Sequence, residues 1–323
     1  MVAAASRPPF AMARHLRSLV DLSPTETQRL LDLAQAVKAK PGDYRSALDG
    51  KSIAMIFAKQ STRTRISFEV GIHQLGAQPL ALSTGGGTGM QMGRGETTHD
   101  TAKVLSRFVH GIVIRTFAQS QVDELAEHGS IPVINALTDL YHPCQGLADL
   151  LTVREHLGDT AGKKLVYVGA GNNVAHSLML AGPRAGMNVT IATPIELPPN
   201  AFVLDQARAD AAEAGTKVEL DHDIERAVAD ADVIYGDTWV SMGEEEEAKR
   251  LLQILDGYQV NATLMAKTGR RTLFMHCLPA HRGEEVTDEV MDAEYSVVFD
   301  QAENRLHAQK ALMLLLMEGA SWS

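Results

Sequence analysis

Several short groups of polar residues in this 323-residue chain are of types that handle anions and amines. The first, Ser61-Thr62-Arg63-Thr64-Arg65, follows an apolar run and enters a helical pattern. A helix start offers unpaired N–H groups with partial positive charge, hydroxyls add neutral hydrogen bonds, and guanidinium groups fork onto oxyanions. That chemistry suits a phosphate. Arg63 and Arg65, two residues apart, cannot share a helix face, so one of them faces the ligand. A solvated basic helix start would carry the same letters. Arg115 ends another apolar run, where its guanidinium can reach the same pocket.

Four further segments could hold the rest of a reacting pair. His142-Pro143-Cys144-Gln145 opens a long helical pattern with proline at the first helical position. A histidine there can donate to a carbonyl oxygen and Gln145 can hold an amide, although a plain helix cap reads the same way. Gly169-Ala170-Gly171-Asn172-Asn173 invites a dinucleotide reading, but Val174 stands where a third glycine belongs, and the next strand ends in Thr193-Pro194 rather than an acid. Asn172 and Asn173 are instead placed to grip an α-carboxylate. Asp237, in the segment DTWVSMG, follows a strand and can pair with an ammonium group. His276-Cys277-Leu278-Pro279 also ends a strand. Adjacent residues of an extended chain point apart, so His276 and Cys277 form no dyad. The acidic run from Glu244 to Glu247 reads as a solvated face, and no Cys or His spacing suits a metal.

The elements that must position these groups alternate. Ser23-Pro24-Thr25-Glu26 is a capping box that starts an amphipathic helix. Strand-like runs follow at 52–57, 79–82, 111–114 and 131–134, with helical stretches at 64–75, 99–109 and 119–127. A helix over 143–157 leads to a second series of strands at 164–168, 189–192, 218–220, 233–235, 272–275 and 296–299, and a last helix runs from about 302 to 317. This predicts an α/β fold of two parallel-sheet α/β domains with helices on both faces, joined by a connecting helix, with the C-terminal helix packing back on the first domain. The expected division is 1–141 and 142–323, with ligands in the cleft between.

Length supports two domains at roughly 150 residues each. Hydrophobic residues at 45% and charged residues at 22% are globular values, and the net charge of −10 disfavours nucleic acid as a partner. Two cysteines make no disulfide framework, so a reducing, cytoplasmic location is expected. The apolar stretch Ala311–Met317 is far short of the ~20 residues of a membrane span.

Taken together and in order, STRTR, HPCQ, GNN, DTWVSMG and HCLP resemble the ornithine carbamoyltransferases, within the aspartate/ornithine carbamoyltransferase superfamily, over nearly the whole chain. The first two motifs are shared with the aspartate enzymes; SMG and HCLP are ornithine-side signatures. The resemblance implies a carbamoyl phosphate site of Ser61, Thr62, Arg63, Thr64, Arg115, His142, Gln145, Cys277, Leu278 and Arg305. It also implies that Gln91 reaches a neighbouring subunit of a homotrimer. Ornithine contacts would fall to Asn173, Asp237, Ser241 and Met242, and catalysis to Arg115, His142, Cys277 and Asp237. The implied reaction, in arginine metabolism, needs no metal or organic cofactor. Phe57-Ala58-Lys59 departs from the family, which usually has glutamate in place of Ala58. The rivals are transfer to putrescine, acetylornithine or aspartate, a nicotinamide oxidoreductase built on GAGNN, and a non-catalytic relative.

Overall fold

The computed structural model describes residues 13–59, 61–83, 95–240 and 246–317, so the expectations for Gln91, Ser241 and Met242 lie outside the described residues. The chain begins with α1 (Pro24–Ala39), capped as expected: Ser23 Oγ accepts from the Glu26 N–H, and the Glu26 carboxylate accepts from the Ser23 N–H. There follow β1 (Ser52–Phe57), α2 (Thr62–Gln74), β2 (Gln78–Ser83), α3 (Thr98–Phe108), β3 (Gly111–Arg115), α4 (Gln119–His128) and β4 (Val133–Leu137). The connecting helix is α5 (Pro143–Leu157).

The second series is β5 (Lys164–Val168), α6 (Asn173–Arg184), β6 (Asn188–Ala192), α7 (Ala201–Ala214), β7 (Val218–Asp221), α8 (Ile224–Val228) and β8 (Val233–Gly236). It continues through α9 (Ala248–Leu255), α10 (Ala262–Ala266), β9 (Leu273–His276), α11 (Asp288–Met291) and α12 (Val298–Met317).

Both sheets are wholly parallel, in the orders β2-β1-β3-β4 and β7-β6-β5-β8-β9. Their central strands read as continuous apolar runs because helices cover both faces; β3 and β4 are buried at every position. In each sheet the strand order reverses once, between β1 and β3 and between β5 and β8, and crevices form at the carboxyl ends of such strands.

One expected strand is absent. Residues 296–299 carry the β-branched pair Val297-Val298, but Ser296 makes only an isolated bridge to Phe274, and α12 begins at Val298. A polar and apolar stripe at helical spacing continues from there, and burial of Val298, Gln301, Arg305, Ala308 and Leu312 along it outweighs the local β propensity. The helix is therefore four residues longer at its start than its sequence pattern suggested. It packs against α5, α1 and α2, returning from the second half to the first. β4 is also displaced, to Val133–Leu137 rather than 131–134, because Asn135 continues the strand while fully buried. Its amide donates to the Arg17 carbonyl at 2.8 Å and to Gln119 at 3.2 Å, which satisfies it in the core.

Candidate active site

The carboxyl ends of both sheets open into one cavity of about 840 Å³. Ser61 caps α2, its Oγ accepting from the Thr64 N–H at 3.2 Å, so the first turn of α2 faces the cavity with unpaired backbone donors. Arg63 lines the cavity, whereas Arg65 turns outward and pairs with Glu69 at 3.3 Å. The two arginines thus separate as their spacing predicts. At the end of β3 the register with β4 shifts between Ile114 and Arg115, a local irregularity of the kind that re-aims a side chain. Arg115 Nη1 donates to Thr64 Oγ1 at 3.3 Å, and Arg115 Nε has no partner.

His142 caps α5 through its backbone, with Pro143 at the first helical position. Its N–H donates to Ser177 Oγ at 2.7 Å, which fixes the ring at the cavity wall with Nδ1 unpaired. Burial, then Arg305 and Arg115, hold its pKa well below the usual histidine value, so the imidazole is neutral at pH 7. Arg115 is pushed down to about 10 by burial and by Arg305 and Arg63, and remains cationic. Three guanidinium groups facing one space is the electrostatics of an anion site.

Arg305 comes from α12. Its Nη1 donates to Gln145 Oε1 at 2.8 Å and its Nε to Gln309 Oε1 at 3.1 Å, leaving Nη2 unpaired and buried. Gln145 therefore does not itself line the cavity; it stands behind Arg305 with its amide donating to Asp149 at 2.8 Å.

On the opposite wall, Gly169 takes φ +149° and Gly171 packs its Cα against the Pro198–Pro199 backbone, where an added Cβ would fall 2.1 Å from Pro199 N. This tight turn delivers Asn172 and Asn173. Asn172 caps α6 through Oδ1 and donates to Asp237 Oδ2 at 2.7 Å, and Tyr167 donates to the same oxygen at 3.3 Å. Asn173 donates to the Thr138 carbonyl at 2.6 Å, tying the two halves together. Cys277 Sγ donates to Asp237 Oδ1, and burial and that carboxylate keep the thiol well above its ordinary pKa. Leu278 holds a left-handed φ of +59° ahead of a cis bond to Pro279. Cys277 and Leu278 both line the cavity.

Several wall residues lay beyond the sequence reading: Lys59, which faces Asp139 at 3.5 Å, Phe117 and Leu252, with the fully buried Tyr167 standing behind Asp237. His281, Glu284 and Glu285 bring potential metal-ligand atoms within 4.8 Å of one another, but His281 Nδ1 bonds Thr238 at 3.0 Å and its N–H donates to Glu285.

Residues 14–155 match the family model described as aspartate/ornithine carbamoyltransferase, carbamoyl-P binding domain, and residues 161–316 match the Asp/Orn binding domain of the same family. The chain belongs to the aspartate/ornithine carbamoyltransferase family. Among relatives of this family, an ornithine carbamoyltransferase of Oceanobacillus iheyensis is 54% identical over 94% of each chain. A structure of the ornithine carbamoyltransferase from Pyrococcus furiosus superposes with TM-score 0.91 at 48% identity, covering 97% of this chain and 100% of that one. The anabolic ornithine carbamoyltransferase from Campylobacter jejuni, another family member, gives TM-score 0.88 at 36% identity, covering 94% and 98%. Like the carbamoyltransferases it resembles, the chain has two parallel-sheet α/β halves with helices on both faces.

Proposed function

We propose that the protein transfers the carbamoyl group of carbamoyl phosphate to the δ-amine of L-ornithine, giving L-citrulline and phosphate. The observation that carries this reading is the single cavity with an anion-binding wall of Arg63, Arg115, Arg305 and the α2 N-terminus facing a wall of Asp237, Cys277 and two asparagines. The 50–54% identity to ornithine carbamoyltransferases over almost the full chain supports it and favours ornithine over putrescine or acetylornithine.

In this mechanism the first wall binds the phosphate group, with Ser61, Thr62 and Thr64 adding hydrogen bonds. Thr64, Arg115 and neutral His142 face the carbonyl oxygen of the carbamoyl group. Donors fixed in advance stabilise the charge that develops there, each worth about 3 kcal/mol in comparable sites. Asn173 and Asp237, with Ser241 and Met242 of the adjoining segment, hold ornithine. Its uncharged δ-amine attacks the carbonyl carbon, the C–O bond to phosphate breaks, and the amine's proton passes to a neighbouring base, for which the Asp237 carboxylate is placed. Juxtaposition of the two substrates supplies much of the acceleration, and no cofactor enters the scheme.

The division 1–141 for carbamoyl phosphate and 142–323 for ornithine belongs to the same proposal, with Arg305 as the residue that crosses between them. So does a homotrimer in which Gln91 reaches a neighbouring site. Exposed Ile66, Val70, Leu80, Val104 and Phe108, on α2, β2 and α3, are apolar surface that a second copy would cover. A cytoplasmic location and a place in arginine biosynthesis fit two free cysteines, and among the described residues no helix is long and apolar enough to cross a membrane.

The test is a citrulline assay with ornithine and carbamoyl phosphate, run beside putrescine, acetylornithine, aspartate and the Arg63→Ala variant. Citrulline formation that Arg63→Ala abolishes is expected; no phosphate release, or faster carbamoylation of another amine, overturns the reading.

A further inference from the structure

Asp149 lies on α5, 1% exposed, and touches no part of the cavity. One of its oxygens, Oδ1, accepts from Gln145 Nε2 at 2.8 Å and from Gln301 Nε2 at 2.7 Å. A side-chain amide has a donor end and an acceptor end, so an oxygen that accepts from the NH₂ group decides which way the other end faces. Gln145 must then turn Oε1 to Arg305 Nη1, at 2.8 Å. Gln301 must turn Oε1 to the His276 N–H, at 2.8 Å, one residue before Cys277. All three side chains are at most 2% exposed, so no solvent competes for these positions.

We propose that Asp149 is a positioning residue: its single acceptor oxygen orients both glutamines and thereby sets Arg305 on the phosphate side and the His276–Cys277 backbone on the amine side in one frame. The proposal rests on the carbamoyltransferase reading for its kinetic consequences, but not for its geometry. If either amide reversed, an NH₂ group would face the Arg305 guanidinium or the His276 N–H, donor against donor, and the anchored group would move. The Tyr235 hydroxyl, which accepts from Gln301 at 3.0 Å, closes the network on β8. Thus one carboxylate serves α5, α12, β8 and β9.

Because both glutamines bond to Oδ1, Asp149→Asn can keep that acceptor in place and put its NH₂ group where Oδ2 was. Asp149→Leu removes the acceptor. The experiment measures steady-state kinetics for both substrates, and the affinity for inorganic phosphate by calorimetry, in the wild type, both Asp149 variants and Gln301→Leu. Misplacement of reacting groups by about an ångström costs on the order of 100-fold. Asp149→Leu is therefore expected to lose about 100-fold in kcat/KM and to weaken phosphate binding, with Asp149→Asn remaining within about fivefold of wild type in both. Gln301→Leu is expected to raise KM for the amine while leaving phosphate affinity unchanged, a split that general loss of packing would not produce. Wild-type phosphate affinity in folded Asp149→Leu, or equal losses in Asp149→Asn and Asp149→Leu, overturns the proposal. If Asp149→Leu does not fold, Gln301→Leu decides, and a loss of phosphate affinity equal to its loss for the amine counts against it. A wild type that binds phosphate but makes no citrulline refutes the carbamoyltransferase reading alone, because phosphate affinity still reports on Asp149.

Discussion

The Cys277 thiol stands 3.0 Å from Asp237 Oδ1 and holds its proton toward that oxygen. Burial and the neighbouring carboxylate both oppose a thiolate, so Cys277 keeps its proton and stays uncharged. Iodoacetamide at pH 8 should leave Cys277 unmodified over a period that alkylates a free thiol completely, and Cys144, raised to about 12 by burial, should be equally inert. Mass spectrometry of the intact chain reads both. Rapid alkylation of Cys277 would show a thiolate and reverse the assignment of charge.

Removing the charge while keeping the shape separates Asp237 from its neighbour. Asp237→Asn should lower kcat about 100-fold or more, as for loss of a general base, while Cys277→Ser, which retains a donor to Asp237, should stay within about tenfold. Stopped assays of citrulline formation across pH 6 to 9 give both values.

Arg115 is buried at the cavity, with Nη1 on Thr64 and Nε unpaired and free to fork onto an oxyanion. A lysine offers a point charge without that fork. Arg115→Lys should therefore cost roughly 100-fold in kcat/KM for carbamoyl phosphate while leaving the urea midpoint close to wild type. Near-normal kinetics in this variant would mean that charge alone suffices.

Asp149 should also govern part of the pH dependence of stability. Burial raises its pKa from 3.8 to about 7, against the pull of Gln145, Gln301, Tyr235 and Arg305. Between those values the folded chain keeps a proton that the unfolded chain has released, so the stability contributed by this site is full below about pH 4 and is lost as pH rises through 7. Asp149→Asn cannot ionise. Its unfolding free energy in urea should exceed that of wild type at pH 8 by a few kcal/mol, less at pH 5, and the difference should vanish near pH 4. A difference that grows toward acid would have the wrong sign.

Gly171 allows the chain to pass against Pro199. Gly171→Ala puts a carbon 2.1 Å from a backbone nitrogen that cannot yield cheaply, so about 2 kcal/mol of stability should be lost, together with the placement of Asn172 and Asn173. Denaturation and KM for ornithine should change together.

The alternation of apolar runs and helical stripes makes most strands of both sheets legible in the sequence, because the central parallel strands are buried on both faces and read as apolar runs. It fails where burial is satisfied by something nonlocal. Asn135 looks like the end of a strand until its amide is seen to reach the Arg17 carbonyl. Val297 and Val298 look like a strand until Val298 is seen to open α12. In the site, the ends of strands identify Arg63, Arg115, Asp237 and Cys277 as cavity residues, since a chain leaving a parallel sheet exposes its first side chains to the crevice. Gln145 stands behind Arg305 in this structure, and a motif does not distinguish touching the ligand from supporting the residue that does. A signal for that supporting layer is present: Gln301, Arg305 and Gln309 recur every fourth residue on a helix that is otherwise apolar on that face.

α12 supplies Arg305 to a pocket whose other basic residues are encoded nearly two hundred positions earlier or more. A chain cut before Arg305 thus keeps Arg63 and Arg115 but has an incomplete binding wall for the phosphorylated compound.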